Sequence, residues 1–210
     1  MDIAHWFTIL TQEIKNTSVL EWLGVGFGVA QVLFARANRV WLYPTGIASV
    51  LISIYIFFDV RLYAEALLNL YYFVMSVYGW WFWVYGRQTN PLHITKATKR
   101  EWQVTTAIVV VGFIVLFLAL DNFTDSDVPF FDAWVSATAW AGMWLLAKRK
   151  LENWILLNIS NAFAIPLLFY KSLPLYALLT IFLFIIAIQG YFKWKRIIKT
   201  NQPDEQLQPD

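Results

Sequence analysis

The chain has no cysteine, two histidines and three methionines in 210 residues, and only 14% of its side chains are charged. Without thiols there are no disulfides, no thiolate nucleophile and no cysteine-bound metal. His5 and His93 have no metal-ligand spacing, and Asp121, Asp125, Asp127 and Asp132 lack the ordered ligand pattern of a calcium loop. Gly24, Gly26 and Gly28 precede no phosphate-loop lysine and fit close helix packing instead. No constellation of ionisable groups occupies an apolar run, so neither an enzyme nor a cofactor is expected. A cleavable signal peptide is not evident either, because residues 1–18 carry Asp2, Glu13 and Lys15 and no uninterrupted apolar core.

What the chain has in abundance is apolar length: 59% of residues are hydrophobic, 19% are aromatic, and mean hydropathy is +0.53. A helix needs about 20 apolar residues to cross a hydrocarbon layer roughly 30 Å thick. Seven runs supply them: Val19 to Ala35, Trp41 to Phe58, Tyr63 to Tyr85, Trp102 to Leu120, Phe130 to Ala147, Asn153 to Tyr170 and Leu175 to Phe192. They are too long and too unalternating for barrel strands, and helices satisfy their own backbone polar groups in lipid. The expectation is an all-α integral membrane protein with seven transmembrane helices.

The gaps after runs one, three, five and seven hold every one of the 16 Lys and Arg residues except Lys15, Arg61 and Lys171. The positive-inside rule then places the N-terminus outside and the C-terminus in the cytoplasm, which an odd number of spans requires. Orientation accounts for these charges, so nucleic acid is not an expected partner; the lipid bilayer is.

Laying the chain over itself so that Trp41 meets Trp154 also brings Phe57 onto Tyr170 and Tyr63 onto Tyr176, and a slightly shorter offset brings Gly79 onto Gly190 and Trp83 onto Trp194. The implied organisation is an N-terminal interfacial segment (1–18), a three-helix repeat (19–86), a linker containing the fourth span (87–129), a second three-helix repeat (130–194) and a cytoplasmic tail (195–210). The repeats start an even number of spans apart and so are parallel copies, as in transporters whose substrate lies near the midplane between halves. In the first segment Ile3, Trp6, Phe7, Leu10 and Ile14 share one helical face suited to an interface, with a frayed terminus as the alternative.

Polar side chains within spans need partners that lipid cannot supply. Trp154, Asn158 and Asn161 stand at i, i+4 and i+7, so one helical face carries an indole beside two amides, suited to a flat polar molecule. Amides that only tie neighbouring helices together are the alternative use of such residues. Asn69, Tyr72, Ser76 and Trp80 form a companion face in span three, with Glu65 near its outer end and Arg61 beside it. Trp41 suits an interfacial anchor. Pro166 bends span six, as a hinge or as a fixed kink.

Leu62-Tyr63-Ala64 through Tyr78-Gly79-Trp80 with Trp83, and Lys150-Leu151-Glu152-Asn153-Trp154 running to Tyr170-Lys171, resemble the PnuC family of bacterial vitamin transporters across all seven spans. The resemblance implies a 3+1+3 layout like that of full-length SWEET proteins and uptake of nicotinamide riboside across the inner membrane. It further implies facilitated diffusion with trapping by a cytoplasmic kinase, and a homotrimer. Family members that take nicotinamide riboside carry W-x-x-W-x-x-x-N in span six and a glutamine in span three. Trp154 and Asn161 match the outer positions, whereas Leu157, with Asn158 next to it, replaces the second tryptophan and Asn69 replaces the glutamine. Thiamine or another B vitamin therefore stays open as the alternative cargo, with sugar a third. The substrate-binding residues expected are Trp154, Asn158, Asn161, Asn69, Tyr72 and Trp80.

Overall fold

The computed structural model describes residues 3–59, 63–86, 93–124 and 126–201. Eight helices run through them: α1 (Ile3–Asn16), α2 (Val19–Arg36), α3 (Leu42–Asp59), α4 (Tyr63–Tyr85), α5 (Lys99–Phe123), α6 (Pro129–Ala147), α7 (Asn153–Tyr170) and α8 (Pro174–Asn201). Among the described residues the β-structure is a single bridge between Thr95 and Lys150. Arg61 and Asp125 lie outside the described residues, as does 202–210 of the expected tail.

Local chemistry sets the ends of these helices. Ser18 and Thr98 each accept from the backbone N–H of a glutamate three residues on, while Glu21 and Glu101 reach back to the cap, giving two capping boxes. Thr98 starts α5 ahead of the apolar run, which lengthens that helix beyond the span read from hydropathy. Proline stands at the start of α6 and of α8, where its missing N–H costs nothing. At about 1.5 Å per residue, the 28 residues of α8 exceed a bilayer core, so its basic last turns, residues 195–201, continue as helix where a tail was expected.

Five helices, α2, α3, α5, α7 and α8, are long and apolar enough to cross a membrane. The other two of the seven expected spans are helices of matching length but different composition. In α4, ten of 23 residues are aromatic. In α6, the chain is rich in alanine, and Ala133, Ala137 and Ala141 are fully buried. α6 serves the interior of the bundle, packing against α5, α7 and α4, and its small side chains let backbones approach closely, whereas α4 leaves Val74, Val77 and Trp81 exposed. Valines and isoleucines of α5, among them Val111, Ile114 and Val115, lie exposed on the outside, as a surface facing lipid requires.

Two groups of three helices carry the same contacts at one constant offset along the chain, that of Gly79 from Gly190. Ser49 donates to the Gly24 carbonyl at 2.8 Å, joining α3 to α2, and Ser160 donates to the Val135 carbonyl at 2.8 Å, joining α7 to α6. The chain turns through left-handed backbone at Asn38 (φ 55°) after α2 and at Arg149 (φ 54°) after α6. The ring of Tyr43 occupies the space over Gly79, and the ring of Trp154 occupies the space over Gly190. These pairings correct the offset that sets Trp41 on Trp154: the counterpart of Trp154 is Tyr43, which is buried, while Trp41 is 61% exposed at the helix end. A ring seated on a glycine fixes register through contact, whereas matched aromatics in an aromatic-rich chain arise by chance.

The groups also reach across to each other. Trp83 of α4 donates its indole N–H to the Ala147 carbonyl closing α6, and Trp194 of α8 donates to the Ala35 carbonyl closing α2, each at 3.1 Å. Tyr71 adds a third tie, stacking on Trp140 at 4.5 Å and donating to its carbonyl.

Candidate functional site

A cavity of about 250 Å³ lies inside the bundle, between α2, α3 and α4 on one side and α6, α7 and α8 on the other. Gln31, Val50 and Tyr72 face it from the first group, and Met143, Trp154, Leu157, Asn161 and Leu183 from the second. Asn161 and Val50 sit at the middle of α7 and α3, and Tyr72 near the middle of α4, so the cavity is at mid-depth. Trp154, in the first turn of α7, lies two helical turns, or about 10 Å, from Asn161 along the helix. It therefore forms the cavity's floor rather than its centre.

Below the floor the end of the bundle that carries Arg36, Lys148, Arg149, Lys150 and Arg196 is shut by aromatic rings. Trp154 meets Trp194 edge-on at 5.6 Å, Trp194 lies 6.4 Å from Trp83, and Trp83 meets Tyr43 edge-on at 5.3 Å. The Arg149 guanidinium sits 3.8 Å over the Trp83 ring, an arrangement favoured by the ring's quadrupole. Residues 93–98 lie across this end. Thr95 pairs with the α6–α7 turn through its N–H to the Arg149 carbonyl and its carbonyl to the Leu151 N–H, and Ile94 packs into the aromatic cluster. The Ala97 N–H donates to Glu152 and Lys150 Nζ donates to Thr95 Oγ1 at 2.9 Å, which fastens the strap to the start of α7, and Lys150 also pairs with Glu101 of α5 at 3.1 Å.

Among the described residues, none that lines the cavity is charged. Its polar groups are two amides, a phenol and an indole: Gln31, Asn161, Tyr72 and Trp154. Trp154 is 1% exposed and its indole N–H has no hydrogen-bond partner among the described residues, a buried donor at the edge of an internal space. A lining of two aromatic rings and two amides suits a flat, electron-poor or cationic ring with a polar rim.

Of the six side chains expected at a site, the structure brings Trp154, Asn161 and Tyr72 to one cavity. Asn158 turns to an open groove of about 430 Å³ between α7 and α8, lined also by Trp154, Ile155, Ala162, Ile188 and Phe192, so the Trp154 ring borders both spaces. Helical geometry explains this, because Trp154, Leu157 and Asn161 follow the i, i+3, i+7 line toward the interior while Asn158 lies to its side. Trp80 is 41% exposed, since the inward line of α4 runs through Ser76, Gly79 and Trp83 and leaves position 80 outside it. Asn69, one turn before Tyr72, does not line the cavity.

Gln31 and Tyr43 are the residues at this site that the sequence pattern leaves unmarked. Gln31 is a lone amide inside an apolar run, the same signal that marks the asparagines, but its neighbours are glycines and valines rather than an aromatic face. Carrying the offset of Gly79 and Gly190 upstream along both repeats leads directly to Tyr43 and Trp154.

The family model for the nicotinamide mononucleotide transporter matches residues 18–196 of the chain. The nicotinamide riboside transporter PnuC of Escherichia coli (strain K12) is 24% identical over 210 residues, covering 85% of this chain and 86% of the relative. That of Neisseria mucosa is 26% identical over 188 residues, covering 83% of this chain and 71% of the relative. A crystal structure of the vitamin B3 transporter PnuC superposes with a TM-score of 0.70 at 23% identity, covering 94% of this chain and 89% of the other.

Proposed function

The chain belongs to the nicotinamide mononucleotide transporter family, and from that premise we propose that it carries nicotinamide riboside across the inner membrane. The observation that carries the choice of cargo is the uncharged lining of the central cavity. A mononucleotide would bring a phosphate dianion to a low-dielectric site with no cation among the described lining residues to meet it, a cost of several kcal/mol even after relaxation. The riboside has no phosphate, and its cationic pyridinium suits the faces of Trp154 and Tyr72. At about 250 Å³ the cavity is near the lower limit of roughly 300 Å³ for small-molecule sites, which suits one ring and one sugar. Relatives that carry the riboside in their names support the same cargo.

In this reading Trp154 stacks under the pyridinium ring, Tyr72 flanks it and Asn161 holds the ribose. Trp80, Asn158 and Asn69 lie beyond the cavity wall and leave the contacts to these three. The helices form a 3+1+3 arrangement of the SWEET-like kind, with α2–α4 and α6–α8 as parallel repeats (19–86 and 130–194), α5 as linker (87–129) and α1 along the outer interface (1–18). The paired serine-to-carbonyl contacts at a constant offset support it. The basic end faces the cytoplasm, as the positive-inside rule directs, so the N-terminus is outside. Transport is facilitated diffusion, with a cytoplasmic kinase trapping the riboside by phosphorylation, and the chain assembles as a homotrimer, both by family resemblance.

Calorimetric titration of the purified protein with nicotinamide riboside, nicotinamide mononucleotide, thiamine and riboflavin tests the cargo. The riboside is expected to bind, the mononucleotide far more weakly, and Trp154→Ala is expected to lose riboside binding. Mononucleotide binding that equals or exceeds riboside binding, or undiminished affinity in Trp154→Ala, refutes the reading.

A further inference from the structure

One polar group on the cavity wall has no task in the reading above. Gln31 projects from α2, and its carboxamide occupies the space over Gly46 of α3: a Cβ at Gly46 would lie 2.7 Å from Gln31 Cδ, 2.8 Å from Nε2 and 2.9 Å from Oε1. A glycine inside a helix costs roughly 0.5–1 kcal/mol relative to alanine, so the room it opens has to serve something. At the matching place in the second repeat, size and polarity are reversed, with Gly142 on α6 and the Leu157 side chain 2.9 Å from where its Cβ would be. One wall therefore presents an amide where its counterpart presents a leucine.

We propose that Gln31, seated by Gly46, is the specificity-determining residue that reads the carboxamide of the pyridinium ring and rejects the corresponding carboxylate. This rests on the riboside reading above. An amide offers an acceptor and a two-proton donor side by side, so two amides join through a reciprocal pair of N–H···O bonds. A ring carboxylate has no donor to return, so Gln31 Oε1 would face another acceptor. It would also be a carboxylate in a cavity whose described lining holds no cation. Asn161, further along the wall, is left for the sugar.

Titrations of nicotinamide riboside and nicotinic acid riboside into the purified wild-type protein and its variants test the assignment, with thermal melting of each variant as the control for folding. The wild type is expected to favour the amide by about tenfold or more, and Gln31→Leu to weaken amide binding by about tenfold, as loss of a buried hydrogen bond implies, while leaving acid binding nearly unchanged. Gly46→Ala should displace the carboxamide and reproduce that loss. The Gln31→Ala/Gly46→Ala double variant should bind no worse than Gln31→Ala, because Gly46 acts only through the Gln31 side chain. Amide and acid affinities that stay within about twofold of wild type in Gln31→Leu overturn the assignment of Gln31, and additive losses in the double variant overturn the role of Gly46. Trp154→Ala in the same series separates the two levels: if it loses binding while Gln31→Leu does not, the inference alone falls, and if it binds normally the underlying site falls with it.

Discussion

Replacing Gly190 with alanine adds one methyl group where Trp154 already is. The new Cβ would lie 2.7 Å from Cε2 and Cζ2 of the indole and 2.8 Å from Cη2. Carbon atoms rest about 3.5–4.0 Å apart, so the ring or α8 must yield by about 0.8 Å. The obstacle is a rigid ring, buried to 1% exposure and held edge-on by Trp194, so no flexible side-chain end can swing clear. Overpacking of this kind costs about 1–3 kcal/mol. For a chain of this size each kcal/mol lowers the melting temperature by about 2–4 °C. Because the tilted indole is also the cavity floor, riboside affinity should fall by about tenfold, or about 1.4 kcal/mol. Melting in detergent and calorimetry measure the two effects. The decisive arm is the double variant: with Trp154→Ala the methyl group meets empty space, so Gly190→Ala should add no further loss of stability. Additive losses, or a Gly190→Ala single variant that melts and binds like wild type, would refute the placement of this ring.

Asn161→Ala should weaken riboside binding about tenfold while Asn158→Ala leaves it within about twofold, since only Asn161 faces the cavity; calorimetry that ranks them the other way refutes the division of the two amides. Trp194→Phe removes the bond to the Ala35 carbonyl but keeps most of the ring, and should cost about 1 kcal/mol of stability by thermal melting; no measurable shift would show that this tie contributes nothing. Ala137→Leu forces a large side chain into a fully buried position of α6 beside Gly112 of α5, and should destabilise the protein by about 1–3 kcal/mol or abolish its expression. A variant that expresses and melts like wild type would mean that the α5–α6 contact is looser than these backbones indicate.

The helices were legible because long apolar runs dominate the pattern, and Tyr63–Tyr85 and Asn153–Tyr170 coincide with helices to the residue. Helix ends were legible only where a cap or proline marks them, which is why α5 and α8 outrun their hydropathy. The interior of the site was harder. An i+4 relation places Asn158 beside Trp154, yet a helix packed on two sides has two neighbouring faces, and spacing alone does not tell a cavity from a lateral groove. Gln31 was hidden for the opposite reason: its partner is the emptiness over Gly46, on another helix, and no local pattern records that fit. The offset shared by the two groups of three helices shows in glycines holding rings, a contact that sequence matching weighs no more than any other coincidence.

The two indole-to-carbonyl bonds at the basic end run in opposite directions between the same pair of bodies, one from α4 to α6 and one from α8 to α2. Parting the bodies at that end stretches both at once, and neither can be released by a local rotamer change without leaving a buried indole N–H short of an acceptor. A molecule resting on Trp154 would thus stand behind a door with two crossed bolts. Any opening of the bundle at that end has to break both bonds together.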